Sequence, residues 1–255
     1  MSTKSTPQSK NNEVLCAAAA AGDTAAVQRL LTAGADVHAL DDAPLRYAAW
    51  EGHTATCAAL LAAGANVHAL GDEALCNAAG EGHTEAAKLL LTAGADVHAQ
   101  TDVALLYAAQ NSHADTCAAL LAAGADVHAQ TDAALLYAAG NGHTDTVRLL
   151  LAAGADVHVD DDTPLYDAAD AGHADTCAAL LAAGANPLRA FPRDRADLLT
   201  PGAAAALDAA IMDACPDLAG DFRAAFLDAP LPRIDAHLAA HDVRNSLQRP
   251  APRRV

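Results

Sequence analysis

A chain of 255 residues that is 53% hydrophobic but only 3% aromatic, its apolar content mostly alanine and leucine, argues against an all-β design and for helices packed through small side chains. The net charge of −17 is concentrated in residues 11–186, which hold 4 Lys and Arg against 23 Asp and Glu, whereas residues 187–255 hold nine of each. That field disfavours phosphate backbones and hence nucleic acid, and suits a protein partner with a basic surface.

From Met1 to Asn12 the chain is polar, with Lys4 and Lys10, and lacks the apolar stretch of a secretory leader. Residues 1–13 are read as a disordered tail. No apolar run reaches the roughly 18 residues needed to span a bilayer, so a soluble, unexported, cytoplasmic protein is expected.

At Val14 a 30-residue period begins, with further blocks starting at Pro44, Ala74, Ala104, Ala134 and Pro164. Gly34, Gly64, Gly94, Gly124, Gly154 and Gly184 recur in strict register, each inside a run such as LLTAGADVH or LLAAGANVH. A second period of 60 residues lies within the first, because TCAALLAAGA starts at 56, 116 and 176; it reads as the record of a duplication. Within the second block, Pro44 suits the first position of a helix and Gly52 its end, and Thr54 to Ala62 carries Cys57, Leu60 and Leu61 at helical spacing before Gly64. Each block is therefore a helix-turn-helix. Two short helices cannot bury a core alone, so neighbouring blocks must stack and share apolar faces.

After Asn186 the pattern stops at Pro187, and Phe191 to Asp194 reads as a linker. Helical patterns recur at 203–214, 217–228 and 233–246, and residues 248–255 read as a disordered tail. Residues 187–247 form either a cap on the sixth block or a separate module.

The second block, PLRYAAWEGHTATCAALLAAGANVH, resembles the ankyrin repeat, and the resemblance extends in register over residues 14–186. It implies an all-α solenoid of six ankyrin-type repeats with finger loops between them, and a partner bound on the concave face by finger tips and first helices. Two departures stand out. The period falls short of the family's roughly 33 residues, which predicts shortened fingers, and Thr163 alone keeps the family's Thr ahead of helix one. Asp42, Asp72, Asp102, Asp132 and Asp162 are expected to replace that Thr as helix caps. The variant is similar to thirty-residue ankyrin repeats of large DNA viruses and some bacteria.

Ten histidines fall every 15 residues from His38 to His173. His53, His83, His113, His143 and His173 occupy the family's Gly-His slot, and His38, His68, His98, His128 and His158 the slot of its usual Asn; both sets are expected to support turns. Rungs roughly 10 Å apart are too distant to share a zinc ion, whose bonds are near 2 Å. His237 and His241 share a helix face, but Leu238 stands where a zinc protease needs Glu. The six cysteines form no C-x-x-C pair and are expected to be buried and reduced. No phosphate loop or nucleophile elbow is present. The expected protein is therefore not an enzyme and takes no cofactor, metal, membrane or small-molecule substrate.

Candidate binding residues are those that break the repeat. Tyr47, Asn77, Tyr107, Tyr137 and Asp167 share one slot, and Trp50, Glu51, Glu81, Gln110, Asn111, Asn141 and Asp170 lie just beyond. Tyr and Trp are common interface anchors, which makes Trp50, the single Trp, the leading candidate. The finger tips add Asp41, Asp42, Asp72, Glu73, Asp102, Asp132, Asp160, Asp161 and Asp162. The function expected is a protein-binding scaffold. An adaptor recruiting a second protein through its C-terminal helices, or an acidic inhibitor occluding an enzyme, are the alternatives.

Overall fold

The computed structural model describes residues 7–191 and 201–214. Among these, regular structure is entirely helical. Six helix pairs follow one another: α1 (Pro7–Ala20) and α2 (Thr24–Thr32), α3 (Ala39–Trp50) and α4 (Thr54–Ala62), α5 (Glu73–Gly80) and α6 (Thr84–Thr92), α7 (Val103–Gln110) and α8 (Ala114–Ala122), α9 (Ala129–Gly140) and α10 (Thr144–Ala152), α11 (Val159–Asp170) and α12 (Ala174–Ala182). First helices pack on first helices and second on second, giving a two-layer array. No described helix is long and apolar enough to cross a membrane.

The core follows the 30-residue register. Leu45, Leu75, Leu105, Leu135 and Leu165 from the first helices alternate with Leu60, Leu90, Leu120, Leu150 and Leu180 from the second, all fully buried. Burying one such side chain contributes roughly 1.5–3 kcal/mol. Paired alanines, such as Ala48 with Ala49 and Ala108 with Ala109, are also fully buried and let successive first helices approach closely. Each second helix ends at its register glycine. Gly34, at φ 87°, completes a Schellman-type close in which Ala35 N–H donates to Leu30 O at 2.9 Å.

The Gly-His slot has a steric reason. The rings of His53, His83, His113 and His173 lie over Gly22, Gly52, Gly82 and Gly142, where an added Cβ would come within 2.7 Å of the imidazole. The Nε2–H groups of His53, His83 and His143 donate to the carbonyls of Ala20, Trp50 and Gln110, one repeat back, at 2.9–3.1 Å.

No β-turn finger joins the repeats. Residues 40–42, 70–72, 100–102, 130–132 and 160–162 form three-residue left-handed turns, φ +46° to +68°, with Gly71 the one glycine among them. These turns replace the longer finger of a full-length repeat. Helix one proper starts after the turn, so Pro44 and Pro164 sit in a first helical turn where their missing N–H costs nothing.

The five aspartates ending these turns, Asp42, Asp72, Asp102, Asp132 and Asp162, are neither finger-tip contacts nor helix caps. All are buried. Asp72 and Asp102 make no side-chain bond to the N-termini of the helices they precede. Each of the five instead accepts the N–H of residue i+24 (Asn66, Asp96, Asp126, Asp156 and Asn186) at 2.7–2.9 Å. Each also accepts Nδ1–H of the histidine four residues earlier, from His38 to His158, at 2.9–3.2 Å. A short side chain that must reach the next repeat's backbone has to point inward, which removes it from any partner's reach.

At the N-terminus, residues 7–13 are helical rather than tail. The Asn12 side chain accepts Asp36 N–H at 3.0 Å, filling the slot that Asp42 fills one repeat later, and Gln8 donates to Gly34 O at 2.9 Å. At the other end, α13 (Pro187–Ala190) packs on α11, and α14 (Pro201–Ala214) packs on α12 and α11. Phe191 is buried with its ring centroid 5.2 Å from that of Tyr166. The helices expected at 217–228 and 233–246, the tail 248–255, Cys215, His237 and His241 lie outside the described residues.

Candidate protein-binding surface

With alanine pairs turned inward, the residues flanking them on each first helix turn outward. Tyr47, Trp50, Tyr107 and Tyr137 accordingly stand 43–49% exposed on one face. The Arg46 guanidinium lies 5.9 Å from the Tyr47 ring centroid, a cation–π distance. Arg46 also pairs with Glu73 at 3.1 Å and donates to the carbonyls of Leu40 and Asp41, so its charge is spent within the array.

Two grooves open on this face. One, of about 370 Å³, runs between the second and third repeats and brings together Tyr47, Trp50, Glu51, Glu73 and Asn77. The other, of about 650 Å³, brings together Tyr137, Asn141, Asp167 and Asp170 over the last repeats. Leu106 and Leu136 also line the second groove. Neither was among the binding candidates, although each directly precedes a candidate tyrosine, which was the available signal.

Several remaining candidates have work inside the array. Asn111 donates to Gly80 O at 2.7 Å and Asn141 to Gln110 O at 3.2 Å, while both stay exposed. Asp161 pairs with Arg189 at 3.0 Å. Glu51, Glu81, Asp41, Asp160 and Asp170 are exposed, and Gln110 is half-buried. Tyr107 and Gln110 line neither groove.

Burial, with the neighbouring Asp170 charge adding to it, raises the Asp167 carboxyl above its ordinary value. Burial pushes the Cys57, Cys117 and Cys177 thiols up to about 12 and Cys76 up to about 11, leaving them protonated and inert. Among the described residues no three His, Cys, Asp or Glu side chains gather as metal ligands.

The fold and this face define a helical repeat solenoid whose first helices present aromatic side chains and grooves. A family model of ankyrin repeats, three copies long, matches residues 45–131 and again 105–190. The chain is a member of the ankyrin repeat family. The human ASB11 ankyrin repeat domain, known from a crystal structure, is similar, with a TM-score of 0.67 and 28% identity over 78% of this chain and 96% of that one. No curated protein matches the sequence. Ankyrin repeats are generally non-enzymatic protein–protein interaction modules.

Proposed function

We propose that the chain binds a partner protein with a basic surface through the concave face formed by its first helices. The observation that carries this reading is the set of half-exposed aromatics on one face, Tyr47, Tyr107 and Tyr137 in repeat register and Trp50 one helical turn on, with carboxylates beside Tyr47, Trp50 and Tyr137 in the two grooves. Aromatic anchors supply contact area at small entropic cost, while the surrounding acidity steers a cationic surface onto it. Three of the array's four cations are already committed, Arg46 to Glu73, Lys88 to Glu85 and Arg148 to Asp145. The five described cysteines are unpaired and buried, which supports a reducing, intracellular setting.

The test is affinity capture from native lysate with the wild-type chain and a Trp50→Ala/Tyr107→Ala variant, followed by affinity measurement on the purified partner. A partner held by wild type should lose about 2 kcal/mol or more with the variant and should weaken in about 0.5 M salt as screening shortens. Equal capture by the variant at both salt levels would remove this face from consideration.

A further inference from the structure

The larger groove exists because two facing slots, at least one of which holds a larger side chain at each of the other junctions, are both small here. The slot of Trp50 holds Gly140, and the slot of Tyr47, Tyr107 and Tyr137 holds Asp167 in the sixth repeat. Gly80 is the array's other glycine in the Trp50 slot, but there the following residue is Tyr107, whose Cβ lies 3.5 Å from where a glycine Cβ would stand, and the ring covers the gap. At Gly140 the corresponding neighbour is the Cβ of Asp167, at 3.6 Å, and a carboxylate takes the place of a ring. The result is a groove of about 650 Å³ with Leu106 and Leu136 in its lining, Tyr137 beside them, and Asp167 and Asp170 as its acidic side. Among the described residues no Lys or Arg pairs with either carboxylate.

We propose that this groove receives one arginine side chain from an extended segment of the partner, its aliphatic stem against Leu136 and Tyr137 and its guanidinium at Asp167 and Asp170. The proposal rests on the binding function inferred above and names the chemistry recognised at one place on that face. Arginine fits better than lysine because a guanidinium stacks on an aromatic ring and donates in a fork to carboxylates, whereas an ammonium does neither. The groove also lacks any other device for a charged guest, its remaining lining being amides, alanines, a glycine and a threonine.

The probe is a random twelve-residue peptide library displayed on phage, panned on the full-length chain and counter-selected on Gly140→Trp. That variant restores the residue the second repeat carries at this slot and fills the groove. The site has ordinary helical φ and an added Cβ meets Asp167 only at contact distance, so the fold should tolerate it. Enriched peptides should share an arginine, and a synthetic copy should lose affinity about tenfold or more on both Gly140→Trp and Asp167→Asn/Asp170→Asn, as expected for a lost charge-assisted pair. Lys88→Ala, on the second-helix layer, should leave binding unchanged. Enriched peptides without arginine, retention by Gly140→Trp, or equal binding of a lysine-for-arginine copy would overturn the proposal. So would a tenfold gain on removing residues 243–255, which carry four arginines and no acid, because the guest would then be the chain's own terminus. A failure here with the Trp50 and Tyr107 dependence intact would sink the groove assignment alone; loss of that dependence would sink the broader reading.

Discussion

Thr146 carries a fully buried hydroxyl with no hydrogen-bond partner, and its neighbours explain why. Thr56, Thr116 and Thr176 are buried in the same way, yet each bonds the hydroxyl 32 residues earlier, that of Thr24, Thr84 or Thr144, at 2.7–2.8 Å. Thirty-two residues before Thr146 stands Ala114. Ala114→Thr should therefore supply the missing partner and raise stability by about 1 kcal/mol, whereas Thr146→Ala, the residue the third repeat carries as Ala86, should cost little. Urea midpoints of the two variants decide this, and a lower midpoint for Ala114→Thr would mean the hydroxyls do not meet. The 60-residue period was legible in the sequence and read there as a trace of duplication only. Its chemistry was not legible, because the bonded hydroxyls belong to different repeats and neither TCAALLAAGA nor its neighbour contains the pair.

The turn between repeats shows how an element can be located correctly and still be misread. Shortening predicted stubby fingers, and the structure has left-handed turns in their place. The run Asp160-Asp161-Asp162 looked like an acidic tip, yet Asp160 and Asp161 face solvent while Asp162 is fully buried and bonded to Asn186 N–H. Composition gives no sign of which member of such a run turns inward; the left-handed backbone decides it. The aromatic row was legible, because Tyr47, Tyr107, Tyr137 and Trp50 interrupt an alanine-rich frame at fixed spacing. The turns also carry strain, since a non-glycine residue in this conformation costs about 1–2 kcal/mol, aspartate less. Leu40 (φ 54°) and Leu70 (φ 52°) meet that cost with side chains left 68% and 54% exposed. Leu40→Gly and Leu70→Gly should each stabilise the array by about 0.5–1 kcal/mol after the glycine's greater unfolded-state freedom is subtracted. The two sites lie one repeat apart, so their effects should add. Denaturant midpoints that fall instead of rising would show these turns to be unstrained.

An array in which each repeat touches only its neighbours has a stability that varies along its length, and its ends are where cover matters most. At the C-terminal end α14 supplies that cover. Leu207, Ala210 and Ile211 are buried with the array's core, and Leu181 is buried where its equivalents Leu121 and Leu151 are only half-buried. Arg189 of α13 completes the same end by pairing with Asp161 at 3.0 Å and approaching Asp162 at 3.3 Å, where interior repeats present a further repeat to that turn. Sequence alone left cap and recruiting module open for residues 187–247, because an amphipathic helix reads the same in either role; the structure packs residues 201–214 on the sixth repeat with Ile211 buried. Ile211→Ala removes a buried side chain at a cost of about 2–4 kcal/mol, and that loss should stay local. Amide exchange should accelerate in α12 and α11, with α2 to α6 unchanged, because α12 and α11 are the helices on which α14 packs. Uniform acceleration along the whole array would mean that the six repeats unfold as one cooperative unit, and the nearest-neighbour account of their stability would fail.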